Sequence, residues 1–304
     1  MSFCQSLTAR LGTLTAIFCL STFSMPVHAE MQIVYPRDST GTTSHTDFYF
    51  EVLQTALEYT RDEFGSYSLR YSERSMNPAR AAVELEVANG RIQVDVRSWT
   101  TEREKSLYPV PFPVDRGLIG YRVLLIRADK QSEFESVRTL DDLRKFSFGL
   151  LTPWSDVKIF EHNGLPVVRG TSFDGLFMML NAGRFEAFSR DIDEVQFEFD
   201  QKRTELPQLA IERTLLLHYP SARYFFVSRT PDGMLLAERI KAGLDKMQRD
   251  GRFDELFRKH KDEQFIRLKL GERRVIHLAN PLRPPGLPEL PSDILPSPPL
   301  LRRQ

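Results

Sequence analysis

Residues 68–96 read SLRYSERSMNPARAAVELEVANGRIQVDV, and this stretch decides the class of fold. Its two ends, residues 68–71 and 93–96, have the composition of short strands. Between them, Asn77-Pro78 supplies an N-cap and a favoured first helical residue, and Asn89-Gly90 supplies a stop. A strand, a helix and a second strand in this order predict a parallel sheet covered by helices.

The same pattern extends towards the N-terminus. Ile33-Val34-Tyr35 indicates an earlier strand, which Pro36 is expected to end. Apolar residues then recur at helical spacing from residue 47 to residue 64, where Gly65 provides a stop. The order of elements in this first block is therefore βαβαβ.

A second α/β block follows after a segment rich in proline and glycine at 108–120 and a strongly apolar strand at 121–126. It opens with a capping pair, Thr139 and Asp142. The expected strands are 146–151, 167–168 and 185–189, and the expected helices are 155–162 and 172–181.

Two further helices are predicted late in the chain, at 232–250 after Pro231 and at 254–260. The last 26 residues contain eight of the 19 prolines. This composition predicts a C-terminal tail, residues 278–304, that lies extended on the surface or is disordered.

Charge and composition exclude some classes of function. The chain has 304 residues, 41 of them basic and 41 acidic, and no basic stripe appears along it. Nothing in this balance favours a nucleic-acid partner. An apolar fraction of 41% fits a folded globular protein.

The N-terminus has the features of a secretory signal. Arg10 is the only charged residue before Glu30, an apolar run covers 11–23, and small or apolar residues lead to Ala29. This pattern predicts a signal peptide over 1–29, cleavage after Ala29 and a periplasmic location; a short membrane anchor or a buried helix is the alternative. Cys4 and Cys19 both lie inside this segment, so the mature chain has no disulfide or thiolate chemistry.

Three segments carry a resemblance to a known family. Residues 99–103 (WTTER) resemble the Thr-x-Glu-Arg segment of family 3 extracellular solute-binding proteins, the amino-acid binders of ABC transporters. Residues 183–191 (GRFEAFSRD) resemble that family's Gly-x-x-Asp-Ala-x-x-x-Asp strand. Residues 224–257, with Pro231 and Asp250-Gly251, resemble its C-terminal strand and helix.

The resemblance implies a type II periplasmic binding fold: an α/β protein of two lobes, each a mostly parallel sheet flanked by helices, with two hinge crossings. Lobe 1 would comprise residues 30–117 plus 222–277, and lobe 2 residues 120–220. A ligand would lie in the cleft between the lobes, where strand ends face each other.

The resemblance also implies the residues that recognise an amino acid. Arg103 occupies the position of the arginine that binds the ligand carboxylate, a task that suits its planar fork. Asp191 occupies the position of the acid that meets the ammonium group. The simpler interpretations are a solvated helix arginine for Arg103 and a helix N-cap for Asp191, and the cap can coexist with binding.

Aromatic side chains and one hydroxyl complete the expected site. Tyr35, Trp99 and Trp154 each follow a predicted strand, where they form either cleft walls or core. Ser155 would cap a lobe 2 helix and donate to the ligand. The chain has Pro153 and Trp154 where the family has Gly followed by Ser or Thr, which puts an ordinary amino-acid ligand in doubt.

No catalytic or metal motif stands out. The five histidines after residue 29 show no spacing typical of a metal site, and neither a nucleophile elbow nor a phosphate-binding loop is present. We therefore expect a monomeric binding protein without a cofactor, serving a permease or a sensor in the inner membrane. The alternatives are an orphan module that regulates a protein partner and, as a weaker one, a cleft dehydratase using Asp191 or Glu102.

Overall fold

The computed structural model describes residues 30–38, 43–287 and 289–290, with residues 38 and 43–47 described by their backbone. The predicted signal peptide, including both cysteines, lies outside these residues. The strands are β1 (Met31–Asp38), β2 (Tyr67–Met76), β3 (Val94–Ser98), β4 (Leu107–Pro109), β5 (Tyr121–Arg127), β6 (Phe148–Leu151), β7 (Val167–Gly170), β8 (Ala187–Asp191), β9 (Leu209–Ile211), β10 (Leu215–His218), β11 (Arg223–Ser228) and β12 (Arg274–His277). The helices are α1 (Thr43–Glu58), α2 (Arg61–Phe64), α3 (Pro78–Val87), α4 (Thr101–Ser106), α5 (Gln131–Glu135), α6 (Leu140–Leu143), α7 (Ser155–His162), α8 (Phe173–Asn181), α9 (Ile192–Lys202), α10 (Pro231–Asp250) and α11 (Arg252–Arg267).

Lobe 1 contains two small sheets that lie side by side. β1 pairs in parallel with β2, and β11 pairs antiparallel with β3 and β4. Val34 joins the two sheets, because its carbonyl accepts from the Gln93 amide at 3.0 Å and its own amide donates to the Gln93 side chain at 2.9 Å. Helices α1, α10 and α11 contribute apolar side chains to one face, and α3 covers the other.

Lobe 2 contains one larger sheet of seven strands in the order β12-β10-β5-β8-β6-β7, with β9 beside β5. β6 pairs in parallel with β7 and β8, whereas β5 runs antiparallel to β8 and β10. Helices α8 and α9 bury their apolar side chains on one face, and α7 on the other. The expected α/β architecture of two lobes is therefore confirmed.

Local signals in the sequence place several helices and miss one strand end. The Asn77 side chain accepts from the Arg80 amide at 2.9 Å, and Thr139 and Asp142 form the expected capping box. Pro36 does not end β1, however. The register shifts between Tyr35 and Arg37, and this bulge lets the strand continue past a residue that has no amide donor.

Residues 274–277 belong to lobe 2, although the sequence assigned them to lobe 1. β12 pairs in parallel with β10, and the chain therefore crosses between the lobes a third time. Arg273 anchors this crossing, because its Nε donates to the Leu268 carbonyl at 2.7 Å and its Nη1 to the Leu215 carbonyl at 3.1 Å. Both acceptors are buried, so pairing there satisfies backbone groups that water cannot reach.

The tail beyond β12 is anchored over the part that the structure describes. Asn163 of lobe 2 exchanges two hydrogen bonds with the Ala279 backbone, at 2.8 and 2.9 Å. The Asn280 side chain donates to the Pro220 carbonyl at 2.9 Å, and Leu290 packs against the lobe 1 cluster that includes Trp99. This segment therefore runs across the hinge from lobe 2 to lobe 1.

One buried carboxylate joins the first two crossings. Asp115 accepts from the amides of Gly117 and Ile119, each at 3.0 Å, and from the amide of Arg223 at 2.9 Å. A side chain at Gly120 would place its Cβ 2.2 Å from the Tyr219 carbonyl oxygen. The two crossing segments thus run in contact, and only glycine fits at that point.

The largest buried apolar cluster continues from one lobe into the other. It includes Phe48 and Phe257 of lobe 1 together with Leu176 and Phe188 of lobe 2. Apolar contact of this kind is the main force that holds two packed layers together. The lobes are therefore in contact on the side of α1, α9 and α11.

Candidate ligand-binding site

Asp191 lies at the end of β8, where lobe 2 faces lobe 1. It is buried, and its side chain caps α9 by accepting from the Asp193 amide at 3.0 Å. Its Oδ2 is 3.3 Å from Nη2 of Arg223 on lobe 1 and 3.8 Å from Nη1 of Arg122 on β5. Asp191, which was predicted to bind the ammonium group of a ligand, is thus paired with two guanidinium groups of the protein.

Arg122 links Asp191 to a second carboxylate. Its Nη2 is 3.3 Å from Oδ1 of Asp156, and the same oxygen accepts from the Tyr219 hydroxyl at 2.7 Å. Burial alone would lower the pKa of Arg122, but the charges around it outweigh burial and raise that pKa above its ordinary value. The arginine therefore stays charged in this buried position.

A second ion pair crosses between the lobes on α11. Nζ of Lys261 is 2.7 Å from Oδ2 of Asp193, and their side chains are only 2% and 6% exposed. The ammonium group also lies 4.7 Å from the centre of the Phe48 ring. Charges this deep are tolerated because they are paired, so separation of the lobes would expose or orphan both groups.

Arg103, the expected carboxylate ligand, lies on the lobe 1 side. Thr100 caps α4 by accepting from the Arg103 amide at 3.2 Å. The guanidinium donates to the Ser98 carbonyl and sits 5.9 Å from the centre of the Phe226 ring. Burial and the neighbouring Arg97 lower the pKa of Arg103.

Two arginines lie close to one buried carboxylate at the end of β3. Arg97 is 2.8 Å from Asp95, and Arg103 is close enough to act on the pKa of Asp95. Burial raises the pKa of Asp95 despite these arginines. Nε of Arg97 is buried and has no hydrogen-bond partner among the described residues. Arg97 is thus ion-paired with Asp95, Arg103 lies near the same carboxylate and near Glu86, and one Arg97 donor is unsatisfied.

The three aromatic residues are packed into apolar clusters. Tyr35 is buried and contacts the rings of Phe50 and Tyr71 edge-on, each at 6.0 Å between centres. Trp99 contacts the Tyr224 ring edge-on at 5.2 Å, and its Nε1 donates to Glu104 at 2.9 Å.

Trp154 stacks parallel to Phe188 at 6.1 Å between ring centres. The guanidinium of Arg190 lies 4.8 Å from the Trp154 ring and is hydrogen-bonded to Glu194 and Glu198. Trp154 is partly buried, so one edge remains at the lobe 2 surface.

Ser155 does not cap α7, which corrects the expectation from the sequence. Trp154 occupies the N-cap position and offers no side-chain acceptor, while Ser155 is the first residue of the helix and is exposed. The preceding Pro153 has no backbone N–H. This turn therefore offers fewer backbone hydrogen-bond donors than the Gly followed by Ser or Thr to which it was compared.

Structural comparison assigns the fold. No protein-family model matches the sequence, and no curated protein matches it. Solved structures match over about three quarters of the chain. An ancestral arginine-binding protein bound to arginine is 17% identical with a TM-score of 0.51, covering 77% of this chain and 99% of that one.

Two others have a TM-score of 0.53. One comes from work on glutathione import through GshT and a cystine ABC importer of Streptococcus mutans (13% identity; 76% of this chain, 95% of that one). The other is a histidine kinase sensor domain similar to periplasmic binding proteins (17%; 77% and 97%). The chain has the fold of the two-lobed periplasmic binding proteins.

Within this binding-protein fold, the two residues expected to act together have different protein partners. Arg103 has its partners in lobe 1, and Asp191 has Arg122 and Arg223. Sequence reasoning missed both of these arginines. The available signal was an isolated charge at the edge of an apolar strand, since Arg122 follows Tyr121 at the start of β5 and Arg223 opens β11. Such a charge requires a buried partner.

Proposed function

We propose that this protein is a solute-binding protein that takes a small ligand with a carboxylate group between its lobes. The two-lobed fold supports this proposal, because an interface between hinged lobes is a common place for a small-molecule site. The crossing segments near Asp115 and Gly120 run in contact with each other, and closure about such segments is a hinge motion.

The two arginines at the end of β3 carry the choice of ligand. Arg97 is ion-paired with Asp95, Arg103 lies close to the same carboxylate, and Nε of Arg97 lacks a hydrogen-bond partner among the described residues. A ligand carboxylate would supply an acceptor for these guanidinium groups. Guanidinium groups are well suited to this task because they bind carboxylates through two parallel hydrogen bonds.

Asp191 is a less favourable partner for the ammonium group of an amino acid than the two arginines are for its carboxylate. Asp191 already lies between Arg122 and Arg223, so an ammonium group would have to displace one of them. Arg122 would keep its pairing with Asp156, but displacement of Arg223 would remove the ion pair that this partly buried guanidinium makes with Asp191, which is destabilising. We therefore propose a carboxylate ligand in preference to a simple zwitterion, with Trp99 and Tyr35 supporting the binding surface.

A thermal-shift screen tests this proposal. Small carboxylates should raise the melting temperature by mass action, and polyamines should not. Arg103→Ala should abolish the shift, while Arg258→Ala, which changes an exposed arginine on α11, should leave it intact. A shift caused by polyamines, or a carboxylate shift that survives Arg103→Ala, would contradict the proposed chemistry.

A regulatory role is the second candidate. The ion pairs Asp191–Arg223 and Asp193–Lys261 hold the lobes together with the protein's own charges. A module whose lobes are held together in this way can act as a docking partner for a membrane sensor or a permease. Retention of such a protein from a detergent extract of inner membranes, lost on deletion of 278–304, would favour this role over capture of a solute.

The proposed location is the periplasm, after cleavage near Ala29. Among the described residues, no helix combines the length and apolar character needed to cross a bilayer. Mass spectrometry of the protein from a periplasmic extract tests the location, because cleavage there predicts a mature chain that begins at Glu30. A mature chain that retains residues 11–23 would support the anchor instead.

A further inference from the structure

Two histidines meet at the end of the lobe 2 sheet. His218 ends β10 and His277 ends β12, and the two residues are partners in the register of these parallel strands. Their Nδ1 atoms are 3.2 Å apart, and their rings are nearly perpendicular, at 89°. The 58 residues between them in the sequence conceal this pair, which is why spacing along the chain indicated no metal site.

The surroundings leave one ring supported and the other open to solvent. The Tyr121 ring lies 4.3 Å from the ring of His218, which holds that imidazole in place. His277 is exposed, and an ion can therefore reach the pair from water.

We infer that His218 and His277 form a binding site for a divalent transition metal through their Nδ1 atoms. A metal placed about 2.05 Å from each nitrogen would subtend an angle of about 100° at the metal, which suits a tetrahedral centre. Imidazole nitrogen is a ligand for Zn²⁺, Cu²⁺ and Ni²⁺, and Cu²⁺ binds most tightly in this series.

The remaining coordination positions are left to water or to an external donor. Within residues 30–38, 43–287 and 289–290, no group of three or more side chains of the kind that bind metals occurs. A site with two protein ligands exchanges its metal more readily than a structural zinc site, which uses four. The inferred site is therefore one of moderate affinity at the surface.

Metal binding at this place would strengthen the attachment of the C-terminal segment. β12 is only four residues long, and the Leu278 amide donates to the His218 carbonyl at 2.7 Å directly beyond it. A metal ion bound to both rings would hold β12 against β10 at the point where the C-terminal segment continues towards the hinge. Because the metal binds the folded chain, it would also stabilise that chain by mass action.

The test uses the full chain, expressed with its own N-terminus, isolated from the periplasm and freed of metal by dialysis against chelator. Zn²⁺ and Cu²⁺ are each titrated by calorimetry, and paramagnetic resonance of the Cu²⁺ sample reports nitrogen ligation. We expect one equivalent of metal to bind, a rise in the melting temperature, and an affinity at least tenfold lower in His277→Gln.

The matched control is His162→Gln, which changes an exposed histidine on α7 and should bind metal as the natural chain does. His277 is exposed, so its replacement is expected to leave the fold intact, and circular dichroism checks this. Equal affinity in the natural chain and in His277→Gln would overturn the inference, and so would the absence of binding at 100-fold excess metal. In either case the contact between the two rings is a plain hydrogen bond.

Discussion

Replacement of Lys261 by methionine is expected to destabilise the protein far more than replacement of Lys259 by methionine. Lys261 and Lys259 lie on the same helix, α11, and each forms an ion pair of nearly the same length, 2.7 Å to Asp193 and 2.8 Å to Glu51. The pairs differ in exposure. The Lys261 side chain is 2% exposed and joins the two lobes, whereas the Lys259 side chain is 59% exposed.

The difference in burial sets the magnitude. Removal of one partner from a buried pair leaves a charge without compensation and costs about 3–5 kcal/mol. Removal of one partner from an exposed pair costs at most about 1 kcal/mol. Asp193 has a second buried oxygen that lacks a hydrogen-bond partner among the described residues, so nothing close by replaces the ammonium. We expect a loss of about 3 kcal/mol or more for Lys261→Met and of less than about 1 kcal/mol for Lys259→Met.

Equilibrium unfolding in urea measures both values. The chain contains only two tryptophans, Trp99 in lobe 1 and Trp154 in lobe 2, and variants that keep one of them report each lobe separately. Coincident transitions would establish that the lobes unfold together. The double variant Lys261→Met/Asp193→Leu should lose less stability than Lys261→Met, since it removes both charges. Equal losses for Lys261→Met and Lys259→Met would refute the argument that this pair holds the lobes together.

Three further changes have defined outcomes. Burial raises the pKa of Asp115 to about 6, so the folded chain keeps this proton to higher pH than the unfolded chain. Stability should therefore fall by about 2 kcal/mol between pH 4 and 6, and Asp115→Asn should remove this dependence in urea titrations. Parallel pH profiles for the natural chain and the variant would show that the pKa of Asp115 is not shifted. Gly243→Ala should lower the free energy of unfolding by about 3 kcal/mol, because the added Cβ would lie 2.1 Å from the Ala56 carbonyl oxygen. A variant as stable as the natural chain would show that α1 and α10 are farther apart. Leu290→Ala should lower stability by about 1 kcal/mol through lost packing against lobe 1, whereas an unchanged melting temperature would mean that the tail is not docked.

Local patterns in the sequence specified the elements well, because caps and periodicity act over a few residues. Asn77 caps α3, Thr139 and Asp142 form their capping box, and Pro231 opens α10, as expected. The βαβαβ order of the first block follows from the same signals. These features need no knowledge of distant contacts, so the α/β class could be predicted from them, while the two-lobed arrangement came from the resemblance to solute-binding proteins.

The features that the sequence did not reveal depend on distant partners. Arg122 and Arg223 meet Asp191 only because three strand ends converge at the hinge. The attachment of β12 to β10 depends on Arg273 reaching carbonyls about 60 residues away. A four-residue strand carries too little pattern to specify its neighbour. The predicted pairing of Arg103 and Asp191 around a ligand stays a prediction, and it did not include Arg122 and Arg223 as partners of Asp191.

The distance between the lobes provides the most direct test of the proposal that a solute binds between them. Val83 on α3 and Met178 on α8 are 50% and 58% exposed, and the chain after residue 29 contains no natural cysteine. Cysteines at these two positions can therefore carry a donor and an acceptor dye for single-molecule energy transfer. The proposal predicts that a saturating carboxylate ligand shifts the molecules towards one state of higher transfer efficiency. An unchanged distribution at saturation would contradict it.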